Sequence, residues 1–283
     1  MMASAVPATT NNEGMSMEPL PDQASKPEDS TEAELQAESQ RNSAVDPWAA
    51  LRTHTPARIG LGRSGNGLPT PRLLEFQIAH AQARDAVHQA VDFEGVKTQL
   101  AGFPVITVRS AAPDRTAYLK RPDLGRLLDP ACIGHLARGE YDIAFVIADG
   151  LSARAVQEHA VTTLRESVER LKGWRIAPIV LASQGRVALG DEIGHLLGAS
   201  MVAVLIGERP GLSAADSLGI YLTFDPKPGR RDSERNCISN IHPPDGLGYR
   251  GAAHKLVYLM TQARRLSLTG IGLKDDLPAL SSE

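Results

Sequence analysis

"YDIAFVIADGLSARAVQEHAVTTLRESVERLKGWRIAPIVLAS", residues 141–183, decides the fold. It opens on the largely apolar run "YDIAFVI" (141–147) and closes on another, "RIAPIVLAS" (175–183). Between them Val156, Ala160, Leu164, Val168 and Leu171 recur at helical spacing. Two strands buried on both faces, joined by an amphipathic helix, make a βαβ unit, because parallel neighbours need a crossover connection. The pattern continues downstream. "GDEIGHLLGA" (190–199) reads as a short helix and "MVAVLI" (201–206) as a third strand. "SAADSLG" (213–219) reads as the start of another helix and "IYLTF" (220–224) as a fourth strand. The expected fold class is therefore α/β: a doubly wound, mostly parallel, Rossmann-like sheet.

Upstream the character of the chain changes. Gly60, Gly62, Gly65 and Gly67 form a loop, and Pro69-Thr70-Pro71 leads into a helix with Leu73, Phe76, His80, Ala83, Val87 and Ala90 on one stripe. That spacing predicts a buried face, with His80 as a hydrogen-bonded core histidine. "GRSGNG" (62–67) lacks the full dinucleotide-binding spacing. Residues 1–46 hold nine acidic residues against Lys26 and Arg41 and no aromatic residue. They bury too little to offset the entropy of ordering. The expected organisation is a disordered acidic tail (1–46), a mostly helical N-terminal domain (47–112) and a Rossmann-like domain (113–283).

Composition bounds the function. The net charge is −3, and with the tail set aside the remainder is mildly basic, without the clustered basic and aromatic residues of a nucleic-acid footprint. No apolar run reaches membrane-spanning length, and the N-terminus has no secretory pattern. Cys132 and Cys237 are too few for a disulfide framework and suit a reducing, cytosolic compartment.

In doubly wound sheets ligands lie beyond the carboxyl ends of the strands. Three glycine-containing segments arrive there: "ADGLSA" (148–153), "SQGRVALGDE" (183–192) and "GERPGLSAAD" (207–216). Each is read as leading into a helix N-terminus, where free N–H groups and glycine backbone favour close ligand approach. Ser213 and Asp216 have the spacing of a capping box, with Asp in place of the usual Glu or Gln. Glu208-Arg209, set between turn-forming residues, reads either as a wall of the ligand site or as a solvated turn. "DPKPGRRDSERN" (225–236) reads as a mobile or docking loop. Cys237 reads as a small buried hydrophobe and His242, before two prolines, as structural. No group of His, Cys and carboxylates has the spacing of a metal site. His195 stands four residues after Asp191, not two, which sets "GDEIGHLLG" apart from the histidine motif that supplies a lower cobalamin ligand.

Six segments in one order, "RIGLGRSGNGLPT" (58–70), "YLKRPDLGRLL" (118–128), "VIADGLSA" (146–153), "GRVALGDEIGHLLGA" (185–199), "IGERPGLSAADSLGIY" (206–221) and "CISNIHPPDGLGY" (237–249), closely resemble the small (light) subunit of ethanolamine ammonia-lyase. The resemblance covers roughly residues 48–275. It implies a subunit of an adenosylcobalamin-dependent lyase that converts ethanolamine to acetaldehyde and ammonia by a radical mechanism. It further implies a base-on cofactor clamped between this chain and a large catalytic subunit, within a higher-order hetero-oligomer. By position it implies cofactor contacts at Val187, Glu208 and Cys237, with no catalytic residue and no metal ligand on this chain. The family also implies a bacterial microcompartment, whereas "MMASAVPATTNNEGMSMEP" (1–19) lacks a targeting-helix pattern, which leaves free cytoplasm open. The rival readings are a stand-alone small-molecule or nucleotide-binding α/β enzyme and a non-catalytic scaffold. Against the first, the sequence shows neither a phosphate-loop lysine nor an adjacent nucleophile–base pair.

Overall fold

A computed structural model describes residues 46–55 and 57–277. The expected disordered tail, and any targeting helix within it, lies outside the described residues except for Asp46. The chain divides into a first unit, residues 1–59, and a second, residues 60–283. The described part of the first contains a short helix α1 (Ala49–Arg52) and an ion pair between Arg52 and Asp46.

The centre of the second unit is a six-stranded sheet in the order β1-β3-β2-β4-β5-β6. The strands are β1 (Val105–Arg109), β2 (Ala144–Ala148), β3 (Ile179–Ser183), β4 (Met201–Gly207), β5 (Leu218–Phe224) and β6 (Arg235–Ile241). The first four positions in that order are parallel, while β5 and β6 continue the sheet antiparallel. β2 and β4 are buried along their whole length, which is why their sequences are uninterrupted apolar runs.

Side chains alternate across the sheet and feed two cores. Phe145, Ile147, Leu181, Ala203 and Leu205 pack on one face against Leu164, Leu256, Leu259 and Met260. Those partners come from α6 (Val161–Val168) and α8 (Tyr249–Leu266). α6 continues from α5 (Ala153–Ala155) through a π-helical stretch, Val156–Ala160, and the short helices α3 (Phe93–Gln99) and α4 (Arg115–Lys120) precede β2 in the chain. Ala144, Val146, Ala148, Val202 and Val204 pack on the other face against Leu189, Ile193 and Leu197 of α7 (Leu189–Leu197). Of the expected stripe, Val156, Ala160, Leu164 and Leu171 are buried and Val168 is half-buried.

Two expectations fail. No helix follows β4: the chain runs through residues 208–217 as an open connection into antiparallel β5. Ser213 and Asp216 therefore cap nothing, and short polar residues with a glycine serve a strand-to-strand turn as well as a cap. The helix α2 (Thr70–His88) forms, but the expected buried stripe does not: Leu73, Phe76, His80 and Ala90 are exposed, and Ala83 and Val87 are half-buried. Leu73, Leu74, Phe76 and Ile78 are exposed, while Ala79 and Ala86 are its buried residues, a small-residue face that allows close backbone packing. His80 is exposed and stacks on Phe76 with ring centroids 6.3 Å apart, so it is no core histidine. Among the described residues no helix is long and apolar enough to cross a membrane.

Candidate functional site

At the carboxyl ends of β2, β3 and β4 lies a cavity of about 430 Å³, within the usual range for small-ligand pockets. β2 and β4 are neighbours, but the connections that follow them diverge, which is the crevice expected of a topological switch point. Backbone meets backbone there. Leu151 N–H donates to Gly207 O at 2.9 Å, Gly150 has φ 57°, and a Cβ on Gly150 would lie 2.2 Å from Gly207 O.

One wall follows β3. The buried carboxylate of Asp149 accepts the backbone N–H groups of Gln184 and Gly185, each at 2.9 Å, and the Arg115 guanidinium at 3.3 Å. Burial pushes this carboxyl up, against the downward pull of those amides and of Arg115. Arg115 also donates to Gly150 O and Val87 O, both at 2.8 Å. Tyr118 donates its hydroxyl to Gly185 O at 3.0 Å, and the Arg186 guanidinium lies 4.3 Å from its ring centroid. Val187, half-buried, faces the cavity beside Arg186. The buried atoms Arg186 Nε, Arg115 Nη2 and Gln184 Oε1 have no hydrogen-bond partner among the described residues.

The opposite wall is the β4–β5 connection. Glu208 Oε2 accepts Ser217 Oγ at 2.6 Å and Asn240 N–H at 3.3 Å, and Oε1 accepts Ser239 Oγ at 2.6 Å. A carboxylate offers about four acceptor positions, so one remains. Gly219 lies directly beneath, where a Cβ would stand 2.8 Å from Glu208 Oε1. The Glu208-Arg209 step therefore belongs to a cavity wall.

Tyr221 lines the cavity from β5, and Cys237 is its cross-strand neighbour on β6. Cys237 is exposed, which corrects the expectation of a buried hydrophobe. Protein packed around its sulfur still pushes the thiol up, the Tyr221 hydroxyl hydrogen bond draws it down, and the Glu208 carboxylate raises it again. A thiol shifted upward is a poor nucleophile at neutral pH. His242 shares a hydrogen bond with Asn240 Oδ1 at 2.7 Å.

Val187 and Glu208 thus share the cavity, and Cys237 adjoins it through Tyr221. Sequence reasoning did not single out Tyr118, Arg115, Arg186 or Tyr221. Arg186 and Tyr118 stand in segments already quoted, but only the folded chain stacks them. The charged stretch 225–236 holds its charges in pairs: Arg230 bonds Asp225 at 2.7 Å and Glu234 at 2.6 Å within it, and the buried Arg235 bonds the buried Asp191 of α7 at 2.5 Å.

The profile of the family described as "Ethanolamine ammonia-lyase light chain (EutC)" matches residues 45–274. The chain is 54% identical over 249 residues to a protein of Azotobacter vinelandii named "Ethanolamine ammonia-lyase small subunit", covering 84% of this chain and 92% of that one. A protein of the same name from Pseudomonas putida is 53% identical over 248 residues, covering 84% and 91%. One from Pseudomonas syringae pv. tomato is 52% identical over 250 residues, covering 84% and 87%.

Proposed function

The chain belongs to the ethanolamine ammonia-lyase light chain family, and from that premise we propose that it forms one half of a cradle for adenosylcobalamin, closed by the enzyme's large catalytic subunit. The observation that carries this reading is the cavity joining Val187, Glu208 and Arg186 at the sheet's switch point. Its size fits part of a corrinoid and not the whole, so a second chain must cover the remainder.

The residues suit the cofactor's chemistry. Leu151, Val187 and Ile206 give apolar surface for a flat ring edge or the benzimidazole. The remaining acceptor position of Glu208 suits an amide or ribose donor, and the unpartnered Arg186 Nε suits a carbonyl or phosphate oxygen. Cys237 serves by close approach, since its thiol is held protonated. No histidine is among the described residues lining the cavity, and we take the cofactor to be base-on. When bound, the cofactor supplies the radical chemistry by which ethanolamine becomes acetaldehyde and ammonia. This chain's residues orient it and exclude water from its covered side. Leu73, Leu74, Phe76 and Ile78 on α2 give an apolar surface of the kind that contacts with other subunits cover, which supports a higher-order hetero-oligomer.

Equilibrium dialysis with adenosylcobalamin tests the reading, using this chain, the large subunit and their complex. The complex is expected to bind tightly and to form acetaldehyde from ethanolamine. Val187→Glu is expected to weaken cofactor binding by the complex without unfolding the chain. Turnover by this chain alone, or unaltered binding in Val187→Glu, would contradict the proposal.

A further inference from the structure

His159 is 4% exposed. Its Nδ1 is 2.8 Å from the Tyr249 hydroxyl, while its buried Nε2 has no hydrogen-bond partner among the described residues. Nε2 instead faces two carboxylates, Asp216 Oδ2 at 3.8 Å and Glu158 Oε2 at 3.9 Å. These distances are too long for hydrogen bonds. With Nδ1–H donated to Tyr249, Nε2 presents a lone pair toward carboxylate oxygens. That arrangement leaves a buried polar atom unmet, which is unfavourable. A cation between the three groups removes the conflict. Burial pushes the imidazole pKa down, against the upward pull of Asp216 and Glu158, and so favours the neutral, ligand-competent form.

We propose that Glu158, His159 and Asp216 form a binding site for a divalent transition-metal cation, with Zn²⁺ as the type ion. One imidazole nitrogen and two carboxylate oxygens are a donor set that zinc accepts, with a fourth position open to water. The three ligand atoms lie within 4.8 Å of one another. At metal–ligand distances of about 2.0–2.2 Å, the donors of a tetrahedral site stand roughly 3.3–3.6 Å apart, so a small inward movement closes it.

The outer sphere is built as metal sites require. Tyr249 fixes the imidazole through Nδ1, leaving Nε2 for the ion. Arg154 Nε holds Glu158 Oε1 at 2.7 Å, which turns Oε2 toward His159. Glu158 and His159 lie in the π-helical stretch, a distortion often found at functional sites. Asp216 comes from the β4–β5 connection, so spacing along the chain could not reveal the set. A bound ion would pin that connection, and with it the Glu208 wall, to the helix that follows β2.

The test is calorimetric titration of the chelator-treated full-length chain with Zn²⁺, repeated with Co²⁺ to read ligand-field absorption. One equivalent is expected to bind, raising the thermal midpoint and giving the visible spectrum of a low-coordinate cobalt site. Asp216→Asn and Glu158→Gln change partly exposed side chains and are expected to keep the fold. Each should weaken Zn²⁺ binding by more than about tenfold, and Tyr249→Phe by about 10–100-fold, as outer-sphere losses do. Absence of stoichiometric binding would overturn the assignment. So would binding that Asp216→Asn and Glu158→Gln both leave intact, since the ion would then sit elsewhere.

Discussion

Leu151 donates its backbone N–H to the carbonyl of Gly207 at 2.9 Å, and this contact joins the end of β2 to the end of β4 where the cavity opens. It requires two glycines. Gly150 occupies the left-handed region, and a Cβ on Gly207 would lie 2.1 Å from Ser152 O. Gly207→Ala therefore forces the two strand ends apart. The expected cost is about 1–3 kcal/mol of overpacking, read as a lower thermal midpoint of the chain, together with weaker adenosylcobalamin binding by the complex. Gly150→Ala adds a left-handed penalty of about 1–2 kcal/mol and should be the more damaging of the two.

Glu208 ties the β4–β5 connection to β6 by accepting from Ser217, Ser239 and Asn240. Glu208→Gln keeps the shape but turns one acceptor oxygen into a donor group, which confronts a hydroxyl or an amide. The expected destabilisation is about 1–3 kcal/mol. If Glu208 also accepts from the cofactor, dialysis of the complex should show a loss in affinity beyond what Ser239→Ala produces. Equal losses in the two variants would limit Glu208 to holding the wall.

The central strands were legible because β2, β3 and β4 are buried on both faces and must be apolar throughout. β1 and β6 were not, since each has exposed positions that break the run: Thr107 and Arg109 in β1, and Ser239 and Asn240 in β6. The segment after β4 misled because Ser213 and Asp216 carry the same local chemistry in a turn as in a helix cap. On α2 the helix was legible but its buried face was not: Ala79 and Ala86 pack inward, while Leu73, Leu74, Phe76 and Ile78 face outward. Val187 follows β3 and Glu208 follows β4, so their place beyond the carboxyl ends of the strands was legible. The pairing of Tyr118 with Arg186, and of Tyr221 with Cys237, arises only from tertiary contact.

Arg235 on β6 and Asp191 on α7 form a salt bridge buried on both sides, each side chain 2% exposed, and Arg235 also donates to Thr223 Oγ1 at 3.0 Å. Arg235→Met leaves a buried carboxylate without its counter-charge, a change worth about 3–5 kcal/mol of stability. The double variant Asp191→Leu/Arg235→Met removes both charges and should recover most of that loss in denaturant unfolding. Failure to recover would show that the pair's geometry, beyond its charge balance, holds β6 in register.

Cys237 gives a pH-dependent readout of the cavity edge. Its thiol is shifted up by the protein packed around the sulfur, against the Tyr221 hydrogen bond and with the Glu208 carboxylate. The folded chain therefore keeps this proton to higher pH than the unfolded chain does. Any stability from the shift is complete below the ordinary thiol value of about 8.5 and is lost as pH rises through the folded value. Alkylation by iodoacetamide, with Cys237→Ser as the control for Cys132, should show a midpoint above 8.5. Tyr221→Phe removes the hydrogen bond that favours thiolate, so its midpoint should move higher still. In the complex, Cys237→Ser should retain ethanolamine turnover, because a protonated thiol acts there by its size and position. A midpoint at or below the ordinary value, with turnover lost in Cys237→Ser, would instead mark a reactive thiolate.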